Sequence, residues 1–428
     1  MKQPPLSPLP FSTTMIQGDQ DMTQVNLTQA SNEWAKRPAD QRFWNLDEMM
    51  AATTQSRTDS RELTVDMDST HAVGWSRGSR VLGEGVKLRL GGEAGDALHD
   101  KYGSRMTPFT NWSFGQLCRT IGAPASYLQS LDPSTAADCV NEGLSKWRAK
   151  GFDSREALLH MNGSPKLKSL TSDRYVRVWN SEIVSRLGHL HAQGWRVPPA
   201  RPSSQEGERT RIATEADCLN FGTRSVLSVK PGDKIAPAGL YASDHDMFAF
   251  LINPEAVIEN GMSPGGMRRG TMIRQSEVGE CSIWKLDFLF DTVCGNHIVW
   301  GAQDVSETRV RHTGSAHDRW EAIVRQVTES VDAGAHEQEA KIRDAQSFML
   351  GNDEDEVIDF LFGKRLVAKR TARQAYALAE EHSDVHGDPR TAWGFVSGLT
   401  RLSQDTTFAD KRTDLDLVAG KILAKATS

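Results

Sequence analysis

The hydrophobic positions of this chain change texture twice. Up to about residue 165 they recur mostly at helical spacing. Between 166 and 314 they come in short runs, and beyond 315 the helical spacing returns. The middle texture is clearest from Arg269 to Gly314. Ile283 to Leu286, Phe288 to Phe290 and Ile298 to Trp300 are short apolar runs, broken by Gly279, Gly295 and Gly301. Runs this short, with recurring β-branched and aromatic residues, predict strands. A short polar strand then ends at Arg309, Val310, Arg311 and His312. Alternation puts Val310 on one face and the two arginines on the other.

Before that region, residues 1–30 are rich in Pro, Ser, Thr and Gln and predict disorder. Short helical segments follow around Glu33-Trp34 and from Asn45 to Ala52, with Asn45 suited to cap a helix beginning at Leu46. Gln55 to Ser60 reads as a polar linker. Val81, Val86, Leu88 and Leu90, among many glycines in 71–92, suggest a hairpin. Residues 111–131 have helix–turn–helix spacing. Phe114, Leu117, Cys118 and Ile121 line one helix, Gly122 breaks the chain, and Leu128 and Leu131 continue a second. A DNA reader needs polar or basic residues early in its second helix. Here they are Ala125, Ser126 and Gln129, so a plain helical hairpin is the better reading. Asp132-Pro133-Ser134 starts a further helix through Trp147.

From Lys166 the chain predicts a strand, a turn at Ser172-Asp173, a second strand through Trp179, and a helix capped by Asn180 or Ser181. A loop spans Arg196 to Thr210. Strands resume near Leu219, Val226 to Val229, Gly239 to Ala242 and Met247 to Ile252, and a Gly-rich loop from Asn260 to Gly270 carries Arg268 and Arg269. The C-terminal part predicts a long amphipathic helix from His317 to Met349. Shorter helices follow at Val357–Phe362, Ala368–His382, Thr391–Leu402 and Asp414–Lys425. The fold class expected is α+β, a mostly antiparallel central sheet with helical N-terminal and C-terminal parts. The division is 1–30 as a tail, 31–165 as a helical region with a hairpin, 166–314 as the β-rich domain, and 315–428 as a helical region.

Composition narrows this picture. In 428 residues, 38% hydrophobic, there is material for a sizeable core, and no run approaches the 18 apolar residues of a membrane span. The first residues, MKQPPLSPLPFSTT, lack the apolar core of a secretory signal. Five cysteines without a Cys-x-x-Cys pair point to reduced thiols and a cytoplasmic setting. The net charge of −6 excludes a generally basic nucleic-acid binder. The segment 166–312 is the least acidic, so a polyanion contact is expected there.

Several motifs occur in one order: Thr171 to Asn180 (TSDRYVRVWN) before a helix, the Ser243-Asp-His-Asp246 turn, Cys294-Gly-Asn296, Arg311-His-Thr-Gly314, and Thr391 to Thr400 (TAWGFVSGLT). Together they resemble the phage- and plasmid-borne family called domain of unknown function 932, over about residues 110–425. This chain has Met247 and His297 where that family usually carries glycine. The resemblance implies mobile-element DNA and a bacterial cytoplasm, and leaves the activity open.

The candidate chemistry divides in two. For nucleic acid, Arg174 and Arg177 suit phosphates while Tyr175 and Trp179 suit base stacking. On an alternating strand Tyr175, Arg177 and Trp179 would share a face. Arg268, Arg269, Arg274, Arg309 and Arg311 would extend the same surface. Each pattern also has a plain reading as a capped turn, a solvated loop tip or an exposed strand face. For catalysis, the candidates are His245, Asp246, Cys294 and His312, with Cys294 and His297 as a ligand pair, or Asp244, Asp246, Asp287 and Asp291 as a hydrolytic set. No second ligand pair has convincing spacing, so no metal and no cofactor are expected, and no nucleotide-binding glycine motif is present. The function expected first is single-strand DNA binding or annealing by a homo-oligomer assembled through the 317–349 helix, with no membrane. The alternatives are a metal-dependent nuclease or nucleotide-modifying enzyme, and a non-catalytic protein that counters host defence.

Overall fold

Asn45 caps the first helix as its position suggests: its side chain accepts from Glu48 N at 2.8 Å, opening α1 (Leu46–Thr58). The computed structural model describes residues 41–75, 85–151, 154–198, 200–202, 209–217, 229–237, 239–258, 267–291, 297–298, 308–329, 335–381, 383–405, 418–423 and 425–426. The tail expected at 1–30 and the helix near Trp34 lie outside them, as do strand positions 219 and 226–228. Helix α1 runs through the stretch read as a linker. Its polar residues are the solvent face of a helix that buries Leu46, Met49 and Thr53.

Strand β1 (Ser60–Trp75) turns back on β2 (Gly85–Gly91), confirming the hairpin. Helix α2 (Gly92–Tyr102), β3 (Met106–Pro108), α3 (Asn111–Ile121), α4 (Ala125–Ser130), α5 (Pro133–Arg148), β4 (Ser154–His160) and β5 (Lys166–Thr171) follow. The strands form one antiparallel sheet in the order β3-β2-β1-β4-β5. The region expected to be helical with a hairpin is therefore a sheet unit, and its last strand crosses the expected boundary at 165. The seven residues of β4 include Glu, Ala and two Leu, good helix formers, and pairing on both sides overrides that preference.

A register break in β1 between Asp66 and His71 exposes carbonyls that Arg148 of α5 meets, through Met67 O at 2.7 Å and through Thr70 O. Asn141 of the same helix bonds Ala72 N and O at 2.7 and 2.9 Å. Gly74 allows this close approach, because a Cβ there would stand 1.9 Å from Pro133 O. Helices α3 and α4 are the plain helical hairpin expected, with Phe114, Leu117, Cys118 and Leu128 packed into the core over this sheet.

The segment 175–179 is not the second strand expected. It joins no ladder, and Val176 N donates to His312 O at 2.9 Å instead. The next helix, α6 (Asn180–Ala192), is capped at Trp179 rather than at Asn180 or Ser181. A small sheet of β6 (Arg201–Pro202), β7 (Arg211–Ile212) and β8 (Lys234–Ala236) leads to the central one. That sheet contains β9 (Leu240–Ala242), β10 (Met247–Ile258), β11 (Met267–Gln275), β12 (Ile283–Asp291) and β13 (His297–Ile298), with β14 (Thr308–Val310) also on β12. Every described pairing in it is antiparallel.

The C-terminal part is helical: α7 (Ala316–Glu329), α8 (Ala335–Ser347), α9 (Glu354–Gly363), α10 (Lys369–Glu381), α11 (Ser383–His386) and α12 (Ala392–Asp405). The long helix expected over 317–349 is described as α7 and α8. Of its apolar stripe, Trp320 and Ile323 pack inward with Ile183, Leu187 and Val310. The motif around Trp393 is a packing device, since a Cβ on Gly398 would lie 2.2 Å from Ala375 O of α10. The α+β class is as the sequence suggests, and no described helix is long and apolar enough to cross a membrane.

Candidate metal centre

The register of β10 on β11 builds the site. Met247 pairs with Gln275, so residues just before 247 meet residues just after 275. The turn Ser243–Asp246 and the turn beginning at Ser276 therefore share one end of the central sheet. Ser243 N donates to Asp246 O at 2.8 Å, and Ser243 Oγ donates to Asp246 Oδ1 at 2.8 Å, which closes the first turn. Met247 needs no unusual backbone there, being an ordinary buried strand residue.

Three ligand-type groups converge at this end. His245 Nε2 lies 3.7 Å from Asp246 Oδ1 and 3.9 Å from Glu280 Oε2, and donor atoms of all three fall within 4.8 Å of one another. Ligand atoms around an ion at about 2.1 Å stand roughly 3 Å apart, so a modest contraction would close the set. Asp244 Oδ1 accepts from His245 Nδ1 at 2.9 Å, which orients the ring so that Nε2 faces the carboxylates of Asp246 and Glu280. That hydrogen bond holds the Asp244 carboxyl below its ordinary value, against the opposing effect of burial, with further help from charge on His245, Lys166 and Lys168. Asp246 is fully buried, while His245 is 27% and Glu280 22% exposed, so the cluster has a buried anchor and an open side.

Arg274 lies 3.6 Å from Asp246 Oδ2 and 3.2 Å from Glu280 Oε1, over the ring of Phe248. The guanidinium thus faces the same two carboxylates that His245 Nε2 faces. The turn carrying Glu280 is in turn held against the first sheet. Trp112 Nε1 and Gln116 Nε2 donate to Val278 O at 3.0 and 2.7 Å, and Lys168 Nζ meets Glu277 Oε1 at 2.9 Å. Gly279 adopts φ +83°, which a glycine reaches cheaply.

The expected arginine surface is not assembled as the sequence suggests. Arg177 is buried, paired with Glu62 and bonded to Glu277 O. Arg274 is buried between two acids. Arg268 and Arg269 sit half-buried on β11 opposite Phe290 and Leu289, not on a loop tip. Tyr175 is no free platform: its hydroxyl donates to Ser276 O at 2.9 Å and its ring stacks on His312 at 5.0 Å. Trp179 already carries the guanidiniums of Arg57 and Arg177 at 5.2 and 5.8 Å from its ring centre. Only Arg174 and Arg311, of the eight whose side chains are described among those cations and rings, are exposed.

His312 is buried and is not a member of the three-ligand group, and burial pushes its imidazole down to about 4, so it is neutral at pH 7. Cys294 lies outside the described residues, and the side chains of Asp287, Asp291, His297 and Arg309 do too. Glu280 and Ser276 are the residues sequence reasoning missed, and Ser243 was named only as part of its turn. The signal for Glu280 was the Gly279-Glu280-Cys281 turn ahead of a strand. Spacing alone gave no metal set because its members sit in two separate turns. No family model, no curated protein and no solved structure matches this chain.

Proposed function

We propose that this chain is a divalent-metal-dependent hydrolase of phosphate esters in nucleic acid, with His245, Asp246 and Glu280 as ligands. The observation that carries it is their convergence on one open-sided point with a carboxylate-oriented imidazole. Two carboxylates and one imidazole suit a borderline or hard cation such as Mn²⁺ or Zn²⁺. The solvent side leaves a coordination position for water, and a bound cation would lower the pKa of that water toward neutrality. Exposed Lys166, Arg174 and Arg311 supply positive charge for a polyanionic substrate. The resemblance to the domain of unknown function 932 family adds a mobile-element setting to this proposal.

Single-strand binding without chemistry is the second reading, and exposed Arg174 and Arg311 are what favour it. The test separates the two. Protein dialysed against EDTA and reloaded with Mn²⁺ is expected to hold about one ion per chain. It should cleave a single-stranded oligonucleotide, and His245→Ala should abolish both. A salt-sensitive gel shift with no bound ion and no cleavage would overturn the hydrolase and leave the binder.

A further inference from the structure

We infer that Ser276 is a positioning residue of this site, a hydroxyl that locks its two ligand-bearing turns together; the inference rests on the metal-site reading. Ser276 Oγ donates to His245 O, and accepts from Glu280 N at 3.0 Å and Val278 N at 3.3 Å. A serine hydroxyl has one proton and two lone pairs, so its capacity is filled. Two of those bonds fall on the backbone of ligand residues that come from different turns.

The side chain is completely buried, so no water can stand in easily for the lost bonds. Its backbone is held as well: Ser276 O accepts the Tyr175 hydroxyl at 2.9 Å, which links the hub to the segment following β5. Flanking residues serve other ends. Gln275 Nε2 donates to Val178 O at 3.1 Å and also to Asn180, and Glu277 accepts from Lys168 and from Asn180 N at 3.2 Å. Ser276 touches neither the ion's position nor a substrate. It sets the distance between the His245 imidazole and the Glu280 carboxylate, which must contract together around a cation.

The test is titration of full-length protein with Mn²⁺ alone, read by calorimetry. Ser276→Ala should weaken Mn²⁺ affinity ten- to a hundredfold, the usual cost of losing a residue that orients metal ligands. Val184→Ala is the control, a buried truncation in α6 outside both turns, and it should bind within threefold of the parent. Ser276→Thr keeps the hydroxyl and should recover most of the affinity. Equal losses in Ser276→Ala and Val184→Ala would overturn the inference, as would no loss in Ser276→Ala. If the parent protein itself takes up no Mn²⁺, the metal-site reading fails first and takes this inference with it.

Discussion

Lys168 and Glu277 form a buried ion pair between two sheets, with Nζ 2.9 Å from Oε1 and both side chains under a tenth exposed. Lys168 belongs to the last strand of the first sheet and Glu277 to the turn that carries Glu280. The pair also meets Ser56 Oγ at 3.1 Å, and Glu277 accepts from Asn180 N at the start of α6. One carboxylate thus gathers a strand, a helix and a turn behind the candidate metal centre.

Removing one partner should be costly. Lys168→Met leaves the Glu277 carboxylate buried without its cation, a change worth about 3–5 kcal/mol. Lys168→Met combined with Glu277→Gln should recover more than half of that loss, since the amide can still accept from Asn180 N. Urea denaturation of the two variants and the parent measures both steps. Equal stability of the single and double variants would show that the pair is not the source of the cost.

His312 makes folding sensitive to acid. Its folded value of about 4 lies below the ordinary 6.5, because burial outweighs the hydrogen bond to Val176 O. Between those two values the unfolded chain binds the extra proton, so this contribution is whole above pH 6.5 and lost as pH falls toward 4. The shift corresponds to something on the order of 3 kcal/mol. His312→Gln should flatten the stability profile in that window, as measured by denaturation midpoints at pH 7, 6, 5 and 4. An unchanged slope would place the acid sensitivity elsewhere.

What could be read from the chain beforehand was local. Asn45 as a cap, the hairpin within 71–92, the helical pair around Gly122, and the helical spacing of Trp320 and Ile323 each follow from periodicity or a breaker within a few residues, whereas where that stripe packs does not. The extended segment at 175–179 was misread because alternation describes side-chain pattern and not whether a partner strand exists. Asp246 was singled out for its turn, and Arg274 for its charge. That each neutralises the other depends on the Met247–Gln275 register, which no single stretch contains.

Two glycines in helices should respond to alanine in opposite directions. A Cβ on Gly398 would press within 2.2 Å of Ala375 O, a backbone atom that cannot rotate away. Gly398→Ala should therefore cost about 1–3 kcal/mol by forcing α12 off α10. A Cβ on Gly188 of α6 meets nothing within 4 Å, so Gly188→Ala should stabilise by roughly 0.5–1 kcal/mol through lower unfolded-state entropy. Thermal melts of both variants check the pair, and a stable Gly398→Ala would mean the C-terminal helices are looser than this packing.

Arg274 gives the metal site its sharpest test. In the ion-free protein its guanidinium faces both Asp246 and Glu280, and all three are wholly or largely buried. Arg274→Gln removes that charge and leaves two carboxyl groups facing each other, so in EDTA the variant should melt well below the parent. A bound divalent cation supplies the missing positive charge at the same carboxylates. Mn²⁺ should then raise the variant's melting temperature more than the parent's, and the gap between them should shrink. At 100 times the dissociation constant, binding alone adds about 2.7 kcal/mol to either protein. Any excess in the variant reports direct exchange of guanidinium for metal. If Mn²⁺ shifts both equally, the ion binds away from Arg274. If it shifts neither, the cluster of His245, Asp246 and Glu280 is a salt-bridge network and not a metal centre.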